Sequence, residues 1–269
     1  MLNLVVALPS EAQPLIDAFG LSRQQQSQAF PVYQSADCCL VVSGIGRCHS
    51  AAATAWLAAL NPVKNAAWVN IGIAGHKNKP VGSAFCAHSI EDMAVSRTWY
   101  PVQIASTLDS LALQTTDYPI INYGNNTLHD MEASGYVQIA LKYSTAELVQ
   151  CVKVISDNEN SPASTIDKSK AQLLIGERID EIRTYTNHLL TLAEELKPTD
   201  IQAMLSLFTA QWRFSVTQKR QLHRLLERHQ LLLGDLDHLP GELTQLKSTS
   251  EALAWLHAGL SAIAFEPAT

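Results

Sequence analysis

LNLVVALPSEAQPLIDAFG, residues 2–20, changes its period once, and that change decides the fold. Leu2 to Leu8 is a short, nearly continuous apolar run, the pattern of a strand buried on both faces of a parallel sheet. Pro9-Ser10-Glu11 interrupts it, and Leu15, Ile16 and Phe19 then follow helical spacing up to Gly20. Ser10 is the expected helix cap and Gly20 the expected C-terminal stop. The same switch repeats along the chain. Cys38 to Ser43 (CCLVVS) reads as a second buried strand, and Gly44-Ile45-Gly46 turns it into an alanine-rich helix from Arg47 to Leu60. Ala66 to Ile73 is a third strand, closed by Ala74-Gly75, and Val81-Gly82 leads into a fourth at Ser83 to Ser89. Short strands are predicted at Pro101 to Ala105 and Leu111 to Thr115, with turn chemistry at Tyr123-Gly124-Asn125-Asn126. Leu128 to Tyr143 reads as a helix, and Glu147 to Ser156 as the last strand, ending at Asp157-Asn158.

This alternation predicts an α/β domain with a mainly parallel central sheet and helices on both faces, three layers in all. After Asn160-Ser161-Pro162-Ala163-Ser164 only helical periodicity remains, broken at Lys197-Pro198, Gly234 and Pro240-Gly241. A helix from Lys170 to Leu196 would complete the α/β domain, residues 1–197. Three or four shorter helices would form an all-helical C-terminal extension, residues 198–269.

The bulk numbers narrow the function classes. With 269 residues, 47% of them hydrophobic, the chain can bury a full core. A net charge of -6 argues against a general nucleic-acid binder, whose affinity rests on clustered Lys and Arg. The five cysteines, Cys38, Cys39, Cys48, Cys86 and Cys151, form no CxxC pair and read as buried thiols in a reducing cytosol. Met1 to Leu8 is too short and lacks the basic start of a signal peptide, and no apolar run approaches the ~20 residues of a membrane span. The expectation is a soluble cytoplasmic protein with no membrane partner.

In an open parallel sheet, ligands bind beyond the carboxyl ends of the strands. Here those ends carry Pro9-Ser10-Glu11, Ser43-Gly44-Ile45-Gly46, Gly72-Ile73-Ala74-Gly75 and Ser156-Asp157-Asn158. Glycines let backbone approach a ligand, and two carboxylates at converging strand ends suit acid–base work at a glycosidic bond. Each carboxylate alone has an ordinary alternative, a helix cap.

Five motifs together carry a resemblance. ALPSE (Ala7–Glu11), SGIG (Ser43–Gly46), NIGIAG (Asn70–Gly75) followed by Val81-Gly82, DMEASG (Asp130–Gly135) and KVISDN (Lys153–Asn158) resemble, in the same order, motifs of the methylthioadenosine/S-adenosylhomocysteine nucleosidases. These belong to the nucleoside phosphorylase superfamily, and the resemblance covers about residues 2 to 160. It implies a phosphorylase/hydrolase-like fold, cleavage of the N-glycosidic bond of an adenosine-type purine nucleoside, no cofactor, no metal, and a homodimer that helps build the pocket.

The resemblance also implies roles. Asp157 would be the general acid toward the purine N7, and Glu11 the base that activates water. Glu132 would accept hydrogen bonds from the ribose hydroxyls, with Met131 against the ribose face. Ala74 and Gly75 would line the floor, and Ser156 would orient Asp157. Lys153, unusual inside an apolar strand, would pair with Glu132 or Glu11; an edge-exposed lysine is the alternative. Glu132 and Met131 keep ordinary readings too, a solvated helix residue and core filler. His49, His76, His88 and His129 show no metal spacing; His129 precedes DMEA and is read as a surface or core residue that could reach the pocket.

Three departures from the pattern bear on function. Ile73 stands where those nucleosidases tend to have a small polar residue. The stretch from Gly82 to Glu132 is shorter, with Trp99 to Asn126 in place of the elements that grip the purine. The early glycine turns hold no phosphate-binding arginine, and Arg47 is expected on the helix. Water is therefore favoured over phosphate as nucleophile. A nucleoside-binding or regulatory protein of altered catalysis is the alternative. In the tail, Arg213, Lys219, Arg220, Arg224 and Arg228 against Glu227 make a basic stretch, and Lys219-Arg220, Arg224 and Glu227-Arg228 recur at helical spacing with Leu222, Leu225 and Leu226 opposite. A solvated face is one reading; a surface for nucleic acid, phosphate or a partner protein is the other.

Overall fold

The computed structural model describes residues 1–25, 29–104, 108–120, 123–124, 126–196, 201–233, 243 and 246–263. The expected breaks at Lys197-Pro198, Gly234 and Pro240-Gly241, and the expectations for Ala105 and Asn125, lie outside the described residues. The chain divides into two compact units, Met1–Lys197 and Pro198–Thr269.

In chain order the first unit runs β1 (Leu2–Val6), α1 (Pro9–Ala18), β2 (Ser22–Arg23), β3 (Val32–Gln34), β4 (Cys38–Val42), α2 (Arg47–Leu60), β5 (Ala67–His76), β6 (Ala84–Asp92), β7 (Arg97–Trp99), β8 (Ser110–Thr115), β9 (Leu128–Asp130), α3 (Ala133–Ala140), β10 (Val149–Asp157), α4 (Lys168–Gly176) and α5 (Ile179–Glu195). The fold is α/β, as expected, and its central sheet is mixed, antiparallel strands being added to a parallel array. The apolar runs read from the sequence do form a parallel array, β4-β1-β5-β10. Antiparallel partners join it: β3 on β4, β9 on β5 and β6 on β10. Because β6 pairs with β8 and β8 with β9, the pairings β5-β9-β8-β6-β10 return to β5 and close a ring of five strands.

Alternation along β1 sends its side chains to two cores. Leu2, Leu4 and Val6 pack with Ala12 and Leu15 of α1, Ile175 of α4, and Ile182 and Leu189 of α5. Val5, with Val41 and Trp68, packs with Ala53 and Leu57 of α2 and with Tyr136 and Val137 of α3. The sheet thus lies between helical layers.

Several local expectations need correction. Helix α1 starts at Pro9, so Ser10 lies inside it; the Glu11 carboxylate accepts from the Leu8 N–H at 2.8 Å and does the capping. Gly20 ends that segment with φ +60°. The predicted helix over Leu128–Tyr143 is a strand followed by a helix. Leu128–Asp130 is held by pairing to β5 and β8, and the Asp130 carboxylate accepts from the Ala133 N–H at 2.9 Å where α3 begins. Residues 101–104 form no strand: Pro101 has no N–H to pair, and the Val102 carbonyl accepts instead from the Gln150 side chain. The single helix from Lys170 to Leu196 is two, α4 and α5, parted where Arg178 turns to the Gly82 carbonyl (2.6 Å) and Glu181 (2.7 Å). Four of the five free thiols are buried, but Cys48, on the outer face of α2, is exposed.

The second unit contains α6 (Gln202–Gln211), α7 (Val216–Leu233) and α8 (Thr249–Ile263), packed around Phe208, Leu222, Leu226 and Leu256. Leu222, Leu225 and Leu226 of α7 are buried while Lys219, Arg220, Arg224 and Arg228 are exposed. No helix among the described residues is long and apolar enough to cross a membrane.

Candidate active site

At the carboxyl ends of β1, β5 and β10 lies a cavity of about 330 Å³, and Glu11, Glu132 and Asp157 all line it. A cavity of this volume is at the lower end of small-molecule sites. Ala74, Gly75, Met131, Ser156 and His129 line it too, with apolar surface from Leu8, Ile45, Ile73, Ile120 and Ile166. Met131 is therefore a wall residue rather than core filler. Ile73 supplies an apolar side chain at the wall and its backbone N–H to Glu11.

Glu11 is fixed by the strand-to-helix switch that opens the sequence. It sits in the first turn of α1, 2% exposed, and accepts from the N–H groups of Leu8 (2.8 Å) and Ile73 (2.9 Å). Burial raises its pKa, against the pull of those amides and of Lys153. Gly72 makes room: a side chain there would come within 3.1 Å of Glu11 Oε1.

Glu132 is the residue before α3, not a mid-helix residue. Its Oε1 accepts from the Gly46 N–H at 2.8 Å, so the SGIG turn reaches this glutamate directly. Gly46 has φ +103°, a conformation in which glycine is strongly preferred. Burial, with Asp130 alongside, raises the Glu132 pKa to about 7, while Lys153 and the Gly46 amide pull it back. Gly135 lets α3 come close to the start of α2, where a side chain on it would collide with the Arg47 carbonyl oxygen and fall 2.7 Å from the carbonyl carbon.

Lys153 is 1% exposed, which removes the edge-exposed reading, and it does not line the cavity. Its ion pair is with Asp130 at 2.8 Å, in place of the expected Glu132 or Glu11. Asp130 also accepts from the Thr115 hydroxyl at 2.7 Å. Burial alone would lower the Lys153 pKa, but Asp130 and Glu132 outweigh it and keep the ammonium charged. The cation acts on Glu11 and Glu132 through space, behind the cavity wall.

Asp157 ends β10 at an irregularity: Ile155 pairs with Ala74 and Asp157 with Gly75, so Ser156 is the extra residue of a bulge. The bulge lets consecutive residues serve one site. The Ser156 hydroxyl donates to Asp157 Oδ1, and the Tyr123 hydroxyl donates to Asp157 Oδ2. Burial and the Asp157 carboxylate both raise the Tyr123 pKa, so the phenol stays protonated. His129 pairs in register with Gly75 and packs against the Tyr123 ring with centroids 5.5 Å apart. Burial lowers the His129 pKa, against Asp130 and Asp157, which favours the neutral imidazole.

Arg47 stands at the start of α2 and is engaged by Asp92 (3.1 Å) and Asp117 (2.8 Å). Among the described residues, no group of three or more His, Cys, Asp or Glu is placed to hold a metal ion. Sequence reasoning did not find Tyr123 or the Asp130–Lys153 pair. Asp130 is part of the DMEA motif and a buried lysine demands a carboxylate, so that signal existed. Tyr123 gave none, because its contact spans 34 residues.

Comparison with solved structures places this architecture. A 5′-methylthioadenosine nucleosidase of Arabidopsis thaliana in apo form superposes with TM-score 0.59 at 16% identity, covering 70% of this chain and 95% of that one. The chain shares the nucleosidase fold. A methylthioadenosine/S-adenosylhomocysteine nucleosidase from Colwellia psychrerythraea in complex with adenine gives 0.54 at 15% identity, over 71% and 94% of the two chains. The futalosine hydrolase of Helicobacter pylori gives 0.53 at 13% identity, over 69% and 97%. No family model matches the sequence, and no curated protein matches it. At these identities the likeness establishes the fold, and activity must be argued from the site.

Proposed function

We propose that the protein hydrolyses the N-glycosidic bond of a purine nucleoside of the adenosine type. The observation that carries this reading is the convergence of Glu11, Glu132 and Asp157, from three distant parts of the sequence, on one cavity of about 330 Å³. Glu11 takes a proton from water, whose oxygen bonds to the anomeric carbon as the carbon–nitrogen bond breaks. Asp157 donates the proton that the departing base needs at N7. Glu132 accepts hydrogen bonds from the ribose hydroxyls and stabilises the cationic sugar of the transition state. Met131 packs on the ribose, Ala74 and Gly75 form the floor, Ser156 orients Asp157, and Lys153 sets the field behind the two glutamates. Each acid–base contribution is worth about 100- to 10,000-fold. Hydrolysis is favoured over phosphorolysis because Arg47, the arginine beside the SGIG turn, is already engaged by Asp92 and Asp117.

The test is base release from methylthioadenosine, 5′-deoxyadenosine or inosine, followed by chromatography with and without phosphate. Release without phosphate is expected, with a large loss in Asp157→Asn; full activity in that variant would defeat the mechanism. One observation favours a second reading, a nucleoside-binding protein without turnover: both Asp157 oxygens already accept hydrogen bonds. That reading expects binding with no release. A homodimer in the cytoplasm is the setting we propose for either, checked by size-exclusion chromatography with light scattering and by fractionation. The basic face of α7, where Lys219, Arg220, His223 and Arg224 line an open groove, is offered as an interaction surface; salt-dependent nucleic-acid binding would distinguish nucleic acid from a protein partner.

A further inference from the structure

The oxygens of Asp157 are unequal. Oδ1 is turned toward Ser156, whose hydroxyl also reaches the buried Ala74 carbonyl at 3.2 Å. Oδ2 is the oxygen left for the cavity, and the Tyr123 hydroxyl takes it. The Tyr123 ring lies over Gly75: a side chain on Gly75 would meet both Tyr123 Cε1 and Asp157 Oδ2 at 2.8 Å. On the other side the ring leans on His129, tilted by 37°. His129 Nδ1 is buried in the same wall and has no hydrogen-bond partner among the described residues. Tyr123, His129 and Asp157 all line the cavity. The cavity therefore already holds a polar contact at the acid that an entering hydrogen-bonding ring would have to meet.

We propose that the Tyr123 hydroxyl occupies the position of the leaving base on Asp157 Oδ2, and that Tyr123 is the residue that sets which bases this site accepts. This rests on the reading of Asp157 as the group that meets the base. A base that enters must take Oδ2 from the phenol, so only ring systems with a hydrogen-bonding nitrogen at that point recover what they displace. A ring nitrogen that accepts the acid's proton, or an N–H that donates to the carboxylate, restores the bond at Oδ2; an apolar or wrongly oriented ring forfeits it and is rejected.

The experiment measures adenine affinity by calorimetry for the wild-type chain, Tyr123→Phe and Tyr123→Ala, with thermal unfolding as the check on folding. Removing only the hydroxyl frees Oδ2, so Tyr123→Phe is expected to bind adenine about tenfold or more tightly than wild type. Affinities equal within about twofold, or weaker binding in Tyr123→Phe, would overturn the proposal, because the hydroxyl would then not be competing. A crystal of the wild-type chain soaked with adenine gives the second readout. Adenine within hydrogen-bonding distance of Asp157 Oδ2, with the phenol displaced, supports it; adenine bound with the Tyr123–Asp157 contact intact sinks it. If wild type releases base from a nucleoside but Tyr123→Phe binds adenine no better, this inference alone falls. If no variant, Tyr123→Ala included, binds adenine or releases base, the nucleoside reading falls with it.

Discussion

Replacing Gly135 by alanine tests how the site is held open. The new methyl group would collide with the Arg47 carbonyl oxygen, and would sit 2.7 Å from its carbon and 3.0 Å from its Cα, where ordinary contact begins at 3.4 Å. The obstacle is backbone at the start of α2, so no side chain can swing aside, and the two helices must part by at least the difference. A separation that relieves the collision with the carbonyl oxygen carries the 2.8 Å bond from the Gly46 N–H to Glu132 Oε1 beyond hydrogen-bonding distance. Overpacking against rigid backbone falls at the upper end of the usual cost of about 1–3 kcal/mol, from which the better helix propensity of alanine recovers up to about 1 kcal/mol. For a unit of this size the loss lowers Tm by roughly 2–8 °C. Glu132 loses its amide partner, so the effect on nucleoside cleavage should fall on KM as well as kcat. Thermal unfolding by circular dichroism and steady-state base release read the two effects. Gly176→Ala is the control, since its nearest neighbours, Pro14 side-chain atoms, are 3.9 Å away, and it should be neutral or slightly stabilising. A Gly135→Ala protein with wild-type Tm and wild-type KM would refute the link between helix contact and site.

Lys153→Met strands the Asp130 carboxylate in a buried position and should cost about 3–5 kcal/mol in urea unfolding, much of it returned when Asp130→Asn is added. Glu132 has a folded pKa of about 7 against an ordinary 4.5, so the folded state keeps a proton that the unfolded state has released. Stability from this group is thus full below about 4.5 and declines as pH rises toward 7. Glu11 adds a slope of the same sign, so the measurement compares wild-type and Glu132→Gln stability curves: wild type should lose stability relative to the variant as pH rises over that window, and parallel curves would contradict it. Glu11→Gln keeps an oxygen for the Ile73 N–H but turns an amide NH2 toward the Leu8 N–H, so it should stay folded at a cost of about 1–2 kcal/mol while hydrolysis falls by about 100- to 10,000-fold.

The parallel array was legible because its strands are buried on both faces and read as continuous apolar runs, as in Leu2–Val6 and Cys38–Val42. The antiparallel additions were not. Strands β2, β3 and β7 are two or three residues long, too short to show a period. Strand β9 runs into α3 with no turn residue to separate them, and only pairing partners far away in sequence make Leu128–Asp130 extended. Glu11, Glu132 and Asp157 stand out because each follows a strand or opens a helix. Asp130 was hidden by its neighbour: the motif drew attention to Glu132, while the lysine chose the carboxylate that its own strand placed nearest. Tyr123 sits in a turn-rich stretch whose composition says nothing about which acid its hydroxyl will find.

The closed ring has a mechanical consequence. Strand β5 belongs both to the ring and to the parallel array, and Gly75 lies on it with Asp157 paired on one side and His129 on the other. Opening the strand at Gly75 would break ladders on both flanks at once, so the Gly75 backbone amide should be among the slowest in the chain to exchange with deuterium. Adaptation to different guests is then left to side chains that stand on the ring, not to breathing of the ring itself.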